Sequence, residues 1–378
     1  MRIILFINSV GTGGAEFSTL TFYSWLQKKP NIEIKLVCLK KLEIQFNHLD
    51  FGLDNLEYIK ETSFFSRLKQ FNNIVDAFQP DIVHSVLFEA NLIARVSKVF
   101  QGKFKHLESL VNQTYSPHRL NDPNVNSLKL ESYRILDMIT QRFGVDHFHS
   151  NGLTVSKHYQ EKLYINENRI TVIPRGRNAN KYLEDNRHDS PFYKNINPEN
   201  KILLINVARH EFQKAQDVLL DALKLLPKLR DQFLLLLVGR KGEATAMIED
   251  KIKEFNLGKQ VKVMGYRDDV VKLLALSDVF VFPSRFEGLP GALIEAEAAK
   301  LPIVCSNIPN NMEVVQENEN ALIFPVDNFQ VLAQHLEKLI LNANLRKSMG
   351  EQSLRIFKEK FTIENVHEKM HALLKTLI

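Results

Sequence analysis

Residues 277–305 read SDVFVFPSRFEGLPGALIEAEAAKLPIVC and contain the pattern that decides the fold. An apolar run at Val279–Pro283 is typical of a buried strand, and a second such run follows at Ile303–Cys305. Between them lie a loop with two glycines and a stretch, Ala292–Ala299, that favours a helix. Strand, helix and strand in this order predict one βαβ unit of a parallel sheet.

The same alternation of short apolar runs and longer amphipathic stretches extends toward both ends of the chain. Further predicted strands lie at Ile3–Ile7, Ile34–Leu39, Asp81–His84, Leu107–Val111, Thr171–Ile173, Ile202–Val207, Phe233–Val238 and Val261–Met264. The polar segment 179–200 contains two prolines and predicts a linker. The fold class is therefore α/β, with two Rossmann-like, doubly wound parallel-sheet domains at 1–178 and 201–359. Because ligands bind beyond the carboxyl ends of such strands, we expect the domains to face each other across a cleft.

The composition is that of an ordinary globular protein. Apolar residues make up 44% of the 378 residues and charged residues 25%, which excludes a disordered chain or a disulfide scaffold. Cys38 and Cys305 lie in separate apolar runs, so we expect buried thiols rather than a disulfide or a metal site. No apolar run reaches the roughly 18 residues of a membrane span. We therefore expect a cytoplasmic protein.

Charge is uneven along the chain. Residues 1–178 carry 22 basic and 17 acidic residues, a net +5, whereas the rest of the chain carries 27 of each. Arg95, Lys98, Lys103 and Lys105 form a basic cluster after an apolar stretch. Such a cluster is typical of a patch facing an anionic membrane surface, and equally of a solvated helix end. It is too sparse to predict nucleic-acid binding.

Three clusters of residues are candidates for binding or chemistry. The first, GTGGAE at residues 11–16, follows the first strand and precedes a helix. Glycines at this place let a phosphate or sugar approach the backbone, or simply form a tight turn. The position where the dinucleotide-binding fingerprint needs a small residue is Glu16, which disfavours a nicotinamide dehydrogenase.

The other two clusters lie in the second half of the chain. Arg209 and Lys214 follow its first strand, as suits a diphosphate, although a solvated loop has the same pattern. Glu287 lies in the glycine-containing loop, and Glu295 lies eight residues later in the following helix. Two such carboxylates either accept hydrogen bonds from a polyol beside an anion-binding helix start or belong to a capped, solvated helix.

Together these motifs resemble the nucleotide-sugar-dependent glycosyltransferases of family 4, which are retaining enzymes of the GT-B fold. The resemblance rests on the Glu-x7-Glu spacing from Glu287 to Glu295, with Pro-Ser-x-x-Glu-Gly around its start and Glu-Ala-x-Ala at its end. It spans nearly the whole chain. Further matching motifs are GGAE (13–16), PDIVH (80–84), ITVIP (170–174), LVG (237–239), VMG (263–265), LSDVFVFPS (276–284), EVV (313–315) and FT (361–362).

The resemblance implies that the second domain binds a nucleotide sugar. Arg209 and Lys214 would hold the diphosphate, Glu287 the hydroxyls of the donor sugar, and Glu295 the ribose hydroxyls. Fixed cations would replace a metal ion, so no metal and no cofactor are expected. The final helix, 360–378, would pack back on the first domain. The remaining donor-binding positions that the resemblance implies are Gly13, Gly14, Gly239, Gly288, Leu289 and Pro290.

The acceptor side is marked more weakly and lies in the first domain. Candidates there are His84, His118 and Asn112, which stands where relatives often have a histidine. A lone histidine also has an ordinary structural interpretation. Arg175 and Arg177 follow the ITVIP motif, and they contact an anionic substrate or brace the hinge.

The function predicted from the sequence is transfer of a hexosyl group from a UDP- or GDP-linked sugar, with retention and without a metal. The acceptor would be a glycan or a lipid-linked sugar of bacterial surface polysaccharide or lipopolysaccharide, reached by peripheral association with the cytoplasmic face of the inner membrane. Two alternatives stay open: a nucleotide-sugar epimerase, and a non-catalytic GT-B subunit that binds a partner transferase.

Overall fold

The computed structural model describes residues 1–11, 13–41, 51–121, 125–178, 182 and 191–378, without the side chains of His118 and Asn121. This part of the chain divides into two compact units. The first unit comprises Met1–Gly176 and Glu364–Ile378, and the second comprises Arg177–Ile363. Each unit is built on one parallel sheet.

The first unit contains a seven-stranded sheet of order β3-β2-β1-β4-β5-β6-β7, in which every pairing is parallel. The order grows outward from β1 in both directions, as in a doubly wound sheet. Its elements are β1 (Arg2–Ser9), α1 (Gly14–Leu26), β2 (Glu33–Lys40), β3 (Leu56–Tyr58), α2 (Phe64–Phe78), β4 (Ile82–Val86), α3 (Phe88–Gln101), β5 (Lys105–Leu110), α4 (Ser127–Gly144), β6 (His147–Ser150), α5 (Leu153–Leu163) and β7 (Ile170–Val172).

The second unit repeats the plan with six parallel strands, in the order β10-β9-β8-β11-β12-β13. The last helix, α14, begins here and runs into the first unit. The elements are α6 (Pro191–Ile196), β8 (Ile202–Val207), α7 (Gln216–Lys224), β9 (Phe233–Val238), α8 (Thr245–Glu254), β10 (Val261–Gly265), α9 (Val270–Leu276), β11 (Val279–Phe282), α10 (Gly291–Ala298), β12 (Ile303–Ser306), α11 (Pro309–Met312), β13 (Ala321–Phe324), α12 (Phe329–Leu341), α13 (Ala343–Lys360) and α14 (Ile363–Thr376).

Both faces of each sheet are buried, which explains the continuous apolar runs of the strands. Along β1, Ile3 and Leu5 belong to one hydrophobic cluster, and Ile4 and Phe6 belong to the cluster on the opposite face. Successive side chains of a strand point to opposite faces, so an uninterrupted apolar run fits only a sheet covered on both sides. The strands of the second unit follow the same rule.

The segment 179–200 is not the simple linker that its polar sequence predicts. Its described part contains the helix α6, whose Tyr193 and Ile196 are buried in the core of the second unit, as is Tyr182. Polar residues separate these aromatic and aliphatic residues, so the sequence has no periodic pattern that predicts their burial. The boundary between the units falls at Gly176–Arg177, and α13 is a further helix that the sequence analysis did not predict.

Backbone hydrogen bonds hold the two ends of the second unit together. The amide of Arg177 donates to the carbonyl of Phe361, and the amide of Ile363 donates to the carbonyl of Arg177, both at 2.9 Å. Beyond Ile363, α14 supplies Val366, Met370 and Leu374 to the hydrophobic cluster around β1. No helix in the described ranges is both long and apolar enough to cross a membrane.

The four residues of the basic cluster, two of them within α3, each pair with a carboxylate. Arg95 is only 2% exposed, and its guanidinium donates to Glu108 on β5 at 2.5 Å and to Asp137 on α4 at 2.6 Å. Lys98 and Lys105 both lie within 4.0 Å of Asp146, and Lys103 pairs with Asp76. The membrane association predicted from this cluster therefore loses its sequence-based support, and the cluster instead ties α3 to β5 and α4.

We expect Arg95→Met to lower the free energy of unfolding by about 3–5 kcal/mol, because it leaves the buried carboxylates of Glu108 and Asp137 without their counter-charge. Lys103→Met, which removes the exposed ion pair with Asp76, is the matched control and should cost less than about 1 kcal/mol. Urea unfolding of the two variants tests this. Equal losses in both would contradict the structural role of Arg95.

Candidate functional site

The two clusters predicted in the second half of the chain meet in the second unit. Lys214 ends a short 3-10 turn, Phe212–Lys214, after β8, and Glu287 lies in the loop between β11 and α10. The ammonium of Lys214 donates to Glu287 Oε1 at 2.6 Å. The two side chains are only 15% and 9% exposed. A cation and a carboxylate are thus held together, nearly out of solvent, at the carboxyl edge of the sheet.

Neighbouring contacts lock these two loops to each other. Gln213 Nε2 donates to the carbonyl of Phe286 at 2.7 Å and to Glu287 Oε2 at 3.3 Å. The amide of Arg285 donates to the carbonyl of Gln213 at 2.8 Å, and the guanidinium of Arg285 pairs with Asp217 at 2.7 Å. Sequence analysis missed Gln213 and Arg285, because neither belongs to a recognisable spacing. Their bonds fix the position of the Glu287 carboxylate.

The start of α10 lies directly after this loop. Gly288, Leu289 and Pro290 are buried, and no side chain caps the helix at Pro290. The first-turn amides of α10 therefore carry the partial positive charge of an uncapped helix N-terminus, which favours an anion. Leu289 is anchored in the hydrophobic core of the unit. The backbone of the loop is thereby held against the start of the helix.

Arg209 is the exposed cation of the group. Its guanidinium lies 2.7 Å from Glu211, and the side chain is 54% exposed. Its carbonyl accepts from Gln216 Nε2 at 2.9 Å, which fixes the backbone while leaving the side chain at the surface. Gly239 acts on this loop sterically: a Cβ there would lie 1.8 Å from the carbonyl oxygen of Ala208. Only glycine lets the end of β9 approach the backbone beside Arg209.

The carboxylate of Glu295 pairs with Arg177, a residue whose role the sequence left open. Arg177 is buried, and its Nε donates to Glu295 Oε1 at 2.7 Å. The two arginines that follow the ITVIP motif differ in their surroundings, and whether either contacts an anionic substrate stays a prediction. Arg177 positions the Glu295 carboxylate in the second unit, whereas Arg175 lies in the first unit, with Nη1 2.8 Å from where a Cβ of Gly14 would stand. Gly14 leaves room for that guanidinium.

Residues 189–355 match the protein family described as "Glycosyl transferases group 1". The segment is therefore similar to the group 1 glycosyl transferases over somewhat less than half of the chain. It contains Arg209, Lys214, Gly239, Glu287 and Glu295, so the predicted motifs of the second domain all lie inside it. The family recognised from the sequence is confirmed at the level of group 1, and its assignment to family 4 stays a prediction.

Several known proteins are similar to this chain in sequence or in structure. The capsular polysaccharide biosynthesis glycosyltransferase CapM of Staphylococcus aureus is 21% identical over 93% of this chain and 92% of its own. An N,N'-diacetylbacillosaminyl-diphospho-undecaprenol α-1,3-N-acetylgalactosaminyltransferase of Campylobacter jejuni is 28% identical over 52% of this chain and 53% of its own. Anabaena HepE, solved with UDP-glucose, superposes over both full chains with a TM-score of 0.87 at 17% identity. The prediction of the GT-B fold is confirmed.

The first unit holds the remaining predicted positions. Gly13 precedes α1, and a Cβ there would lie 2.3 Å from Glu16 Oε2, so the Glu16 carboxylate covers this glycine. Asn112 is exposed just after β5. The side chain of His118 lies outside the described part of the chain. No group of three or more His, Cys, Asp or Glu that could hold a metal ion is found within the described ranges.

The acceptor-side candidate His84 lies in a polar network. On β4 it lies 2.7 Å from the hydroxyl of Ser109 on β5, which in turn lies 2.8 Å from Nδ1 of His149 on β6. Neither Ser109 nor His149 was singled out from the sequence, since both occupy positions within strands. A second buried histidine, His106, bonds Ser85 and the carbonyl of Gly144.

These histidines are uncharged at neutral pH. Burial, together with the nearby His149 and His106, lowers the pKa of His84 to about 3. Burial likewise lowers the pKa of His106 to about 4 and that of His149 to about 4. Neutral imidazoles each offer one hydrogen-bond donor and one acceptor, so the network has a fixed direction.

We expect the free energy of unfolding to fall as the pH drops from 7.5 to 5. His84 and His106 ionise in the unfolded chain near pH 6.5 but stay neutral in the folded one, so their stabilising contribution is complete above pH 6.5 and is lost toward their folded pKa values. At pH 5 each would account for a loss of up to about 2 kcal/mol. Urea unfolding at several pH values measures the slope. His106→Asn should flatten it, and an unchanged slope in that variant would contradict the assignment.

Proposed function

We propose that the protein is a glycosyltransferase that moves a hexosyl group from a UDP- or GDP-linked sugar to a glycan or lipid-linked acceptor, in the synthesis of a bacterial surface polysaccharide. The observation that carries this proposal is the nearly buried Lys214–Glu287 pair beside the uncapped start of α10. One group attracts phosphate and the other accepts sugar hydroxyls, and both lie in the group 1 domain.

On binding, the donor would replace the contact between Lys214 and Glu287 with its own contacts to each of them. A diphosphate brings negative charge to Lys214 and to the first-turn amides of α10, while a sugar hydroxyl takes the place of the ammonium as a donor to Glu287. Arg209 is exposed, and among the described residues its guanidinium pairs with the neighbouring Glu211 alone, so we propose that it turns toward the phosphates. Glu295, oriented by Arg177, would accept from the ribose hydroxyls.

The reaction then needs charge stabilisation where the phosphate leaves. The bond between the anomeric carbon and the phosphate oxygen breaks with its electron pair on that oxygen. The acceptor oxygen forms the new bond on the same face, and its proton passes to the departing phosphate. The transition state is oxocarbenium-like, and fixed cations near the phosphate lower its energy. Lys214 and Arg209 supply such cations, so we propose that no metal is required.

The acceptor would be a membrane-bound or polymeric saccharide. Two relatives support this class: CapM by its capsular polysaccharide role, and the Campylobacter enzyme by its diphospho-undecaprenol substrate. We propose action at the cytoplasmic face of the membrane, where such lipid-linked intermediates and nucleotide sugars meet.

We expect one of the nucleoside diphosphates UDP, GDP and ADP to raise the melting temperature with or without EDTA, in a series that also includes CMP, nucleotide sugars and NAD. A ligand at a hundredfold excess over its Kd adds about 2.7 kcal/mol, or about a few degrees for a chain of this size. Lys214→Met and Glu295→Ala should abolish the shift. Lys241→Met, which removes a 73% exposed lysine of the same unit, should leave it intact.

A shift that needs a divalent cation would contradict the metal-free site. A shift with NAD alone would reopen the oxidoreductase alternative. Equal loss of the shift in Lys241→Met and Lys214→Met would mean that general charge, rather than the pair with Glu287, attracts the nucleotide.

We expect transfer from an α-linked nucleotide sugar onto a short-chain, lipid-linked diphospho-N-acetylglucosamine to give an α-glycosidic product, because retention places the new bond on the face that the phosphate leaves. Proton NMR coupling at the anomeric position reads the outcome. A β product would contradict retention. Conversion of the donor into another nucleotide sugar would favour the epimerase alternative, and binding without any turnover would favour the non-catalytic subunit.

A further inference from the structure

The exposed face of α4 is apolar. Leu128, Ile139 and Phe143 are 82%, 53% and 71% exposed, and Ile135 and Leu136 are exposed as well. Positions 128, 135, 139 and 143 are separated by seven, four and four residues, so their side chains lie along one face of the helix. Leu136 lies beside them. We call these five residues the α4 stripe.

The opposite face of α4 is buried and largely polar. Its buried residues are Asp137, Gln141 and Gly144. Asp137 accepts from Arg95 Nη1 at 2.6 Å, whereas the apolar residues Leu130 and Met138 are only half-buried. A surface helix normally packs its apolar side on the core and turns its polar side to water. The orientation of α4 is the reverse, so packing within the first unit does not account for the α4 stripe.

The exposed apolar surface continues at the end of α3. A Cβ at Gly144 would lie 2.6 Å from the Cβ of Arg95, so α3 and α4 touch there. Val99 follows Arg95 by about one helical turn. Val99 and its neighbour Phe100 are 55% and 79% exposed. Clustered apolar side chains on a surface mark a contact with another protein or with a membrane, whereas single ones are ordinary.

The charges that border the α4 stripe are positive. Lys129 and Arg142 are exposed, one near each end of the helix. The exposed carboxylate of α4, that of Glu131, pairs with Arg134 at 2.5 Å. The other carboxylate of the helix is buried. The exposed surface of α4 therefore combines apolar side chains with two cations that no carboxylate of the helix neutralises.

This combination of charge and apolar surface distinguishes between partners. If two copies met along the α4 stripe with their helices antiparallel, Lys129 of each would lie beside Arg142 of the other. If the helices were parallel, Lys129 would meet Lys129 and Arg142 would meet Arg142. Like charges repel in both arrangements, which disfavours a second copy. A bilayer with anionic headgroups takes up the apolar side chains and attracts the cations beside them.

We propose that the α4 stripe docks the protein on an anionic lipid bilayer, with α4 lying in the plane of the membrane surface. Leu128, Ile139 and Phe143 enter the boundary between headgroups and acyl chains, and Lys129 and Arg142 contact the headgroup phosphates. The inference rests on the proposed function, because a lipid-linked acceptor lies at such a surface, and it names the part of the chain that meets the lipid. It makes no use of the paired basic cluster around α3.

Flotation of the full chain with lipid vesicles tests the docking. We expect the chain to float with vesicles of phosphatidylethanolamine and phosphatidylglycerol at low salt, and less at high salt or with phosphatidylcholine alone. Ile139→Ser and Phe143→Ser should each weaken the partition about tenfold, because each removes an apolar side chain from the lipid. Leu341→Ser is the matched control, since it changes a 58% exposed leucine of the second unit, and should have no effect.

Two further measurements separate the contribution of charge from the depth of insertion. Lys129→Glu combined with Arg142→Glu should weaken flotation with the anionic vesicles at least about tenfold. Lys347→Glu, which changes an exposed lysine of α13, should not. Phe143→Trp adds a second tryptophan to the chain, and lipid brominated on its acyl chains should quench the added fluorescence. The added fluorescence of Leu341→Trp should not be quenched.

A chain that does not float with anionic vesicles would overturn the proposal, and so would equal flotation of Phe143→Ser and the unmodified chain. A dimer in sedimentation analysis that dissociates in Phe143→Ser would overturn it as well, because the α4 stripe would then serve a second copy.

The proposed function has separate readouts, which are stabilisation by a nucleoside diphosphate and transfer to the short-chain acceptor in solution. Both should be unchanged in Ile139→Ser, because that residue lies outside the donor site. If both are observed but the chain does not float, the membrane surface is removed and the proposed transferase stands. If neither is observed, the proposed function fails, whatever the flotation result.

Discussion

Burial of both faces of each parallel sheet is the constraint on which the rest of the structure depends. A strand such as β1 can then hold only apolar side chains, and polar groups must lie at strand ends or find partners inside. Where β4 and β5 do carry polar side chains, each has a partner. His106 bonds Ser85, Ser109 bonds His84, and Glu108 bonds Arg95. The polar chemistry of the first unit is therefore concentrated between neighbouring strands and at their carboxyl ends.

The polar groups at the centre of the two units differ in charge. The second unit holds a charged pair, Lys214 with Glu287, whose members neutralise each other. The first unit holds histidines whose burial keeps them uncharged at neutral pH. In the proposed reaction, a donor that carries both a diphosphate and hydroxyl groups would separate the charged pair.

The fold was predictable because it depends on a repeated pattern. Apolar runs such as Ile202–Val207 and Phe233–Val238 coincide with β8 and β9, because each is flanked by turns and is too short for a helix. The donor-side spacing from Glu287 to Glu295 was equally visible. Contacts between distant side chains were not, and the Arg95 cluster shows why. Four basic residues close in sequence looked like a surface patch, but β5 and α4 supply buried carboxylates to Arg95, and the three lysines pair with Asp146 and Asp76.

The acceptor side shows the same limit in another form. His84 was a candidate because of its residue type, but its hydrogen bonding depends on Ser109 and His149, which lie on two other strands. The direction of the bonds depends in turn on a backbone carbonyl, that of Ile173. Sequence spacing carries no information about which ring nitrogen holds a proton.

The path of the last helix has a consequence for the order of assembly. The hydrophobic cluster around β1 includes Ile3 near one end of the sequence and Leu374 near the other. The residues of the second unit lie between these two in the sequence. In topological terms the second unit is an insertion in the first. The ribosome synthesises the whole second unit before α14 emerges. The first unit is therefore begun first but completes its hydrophobic core last.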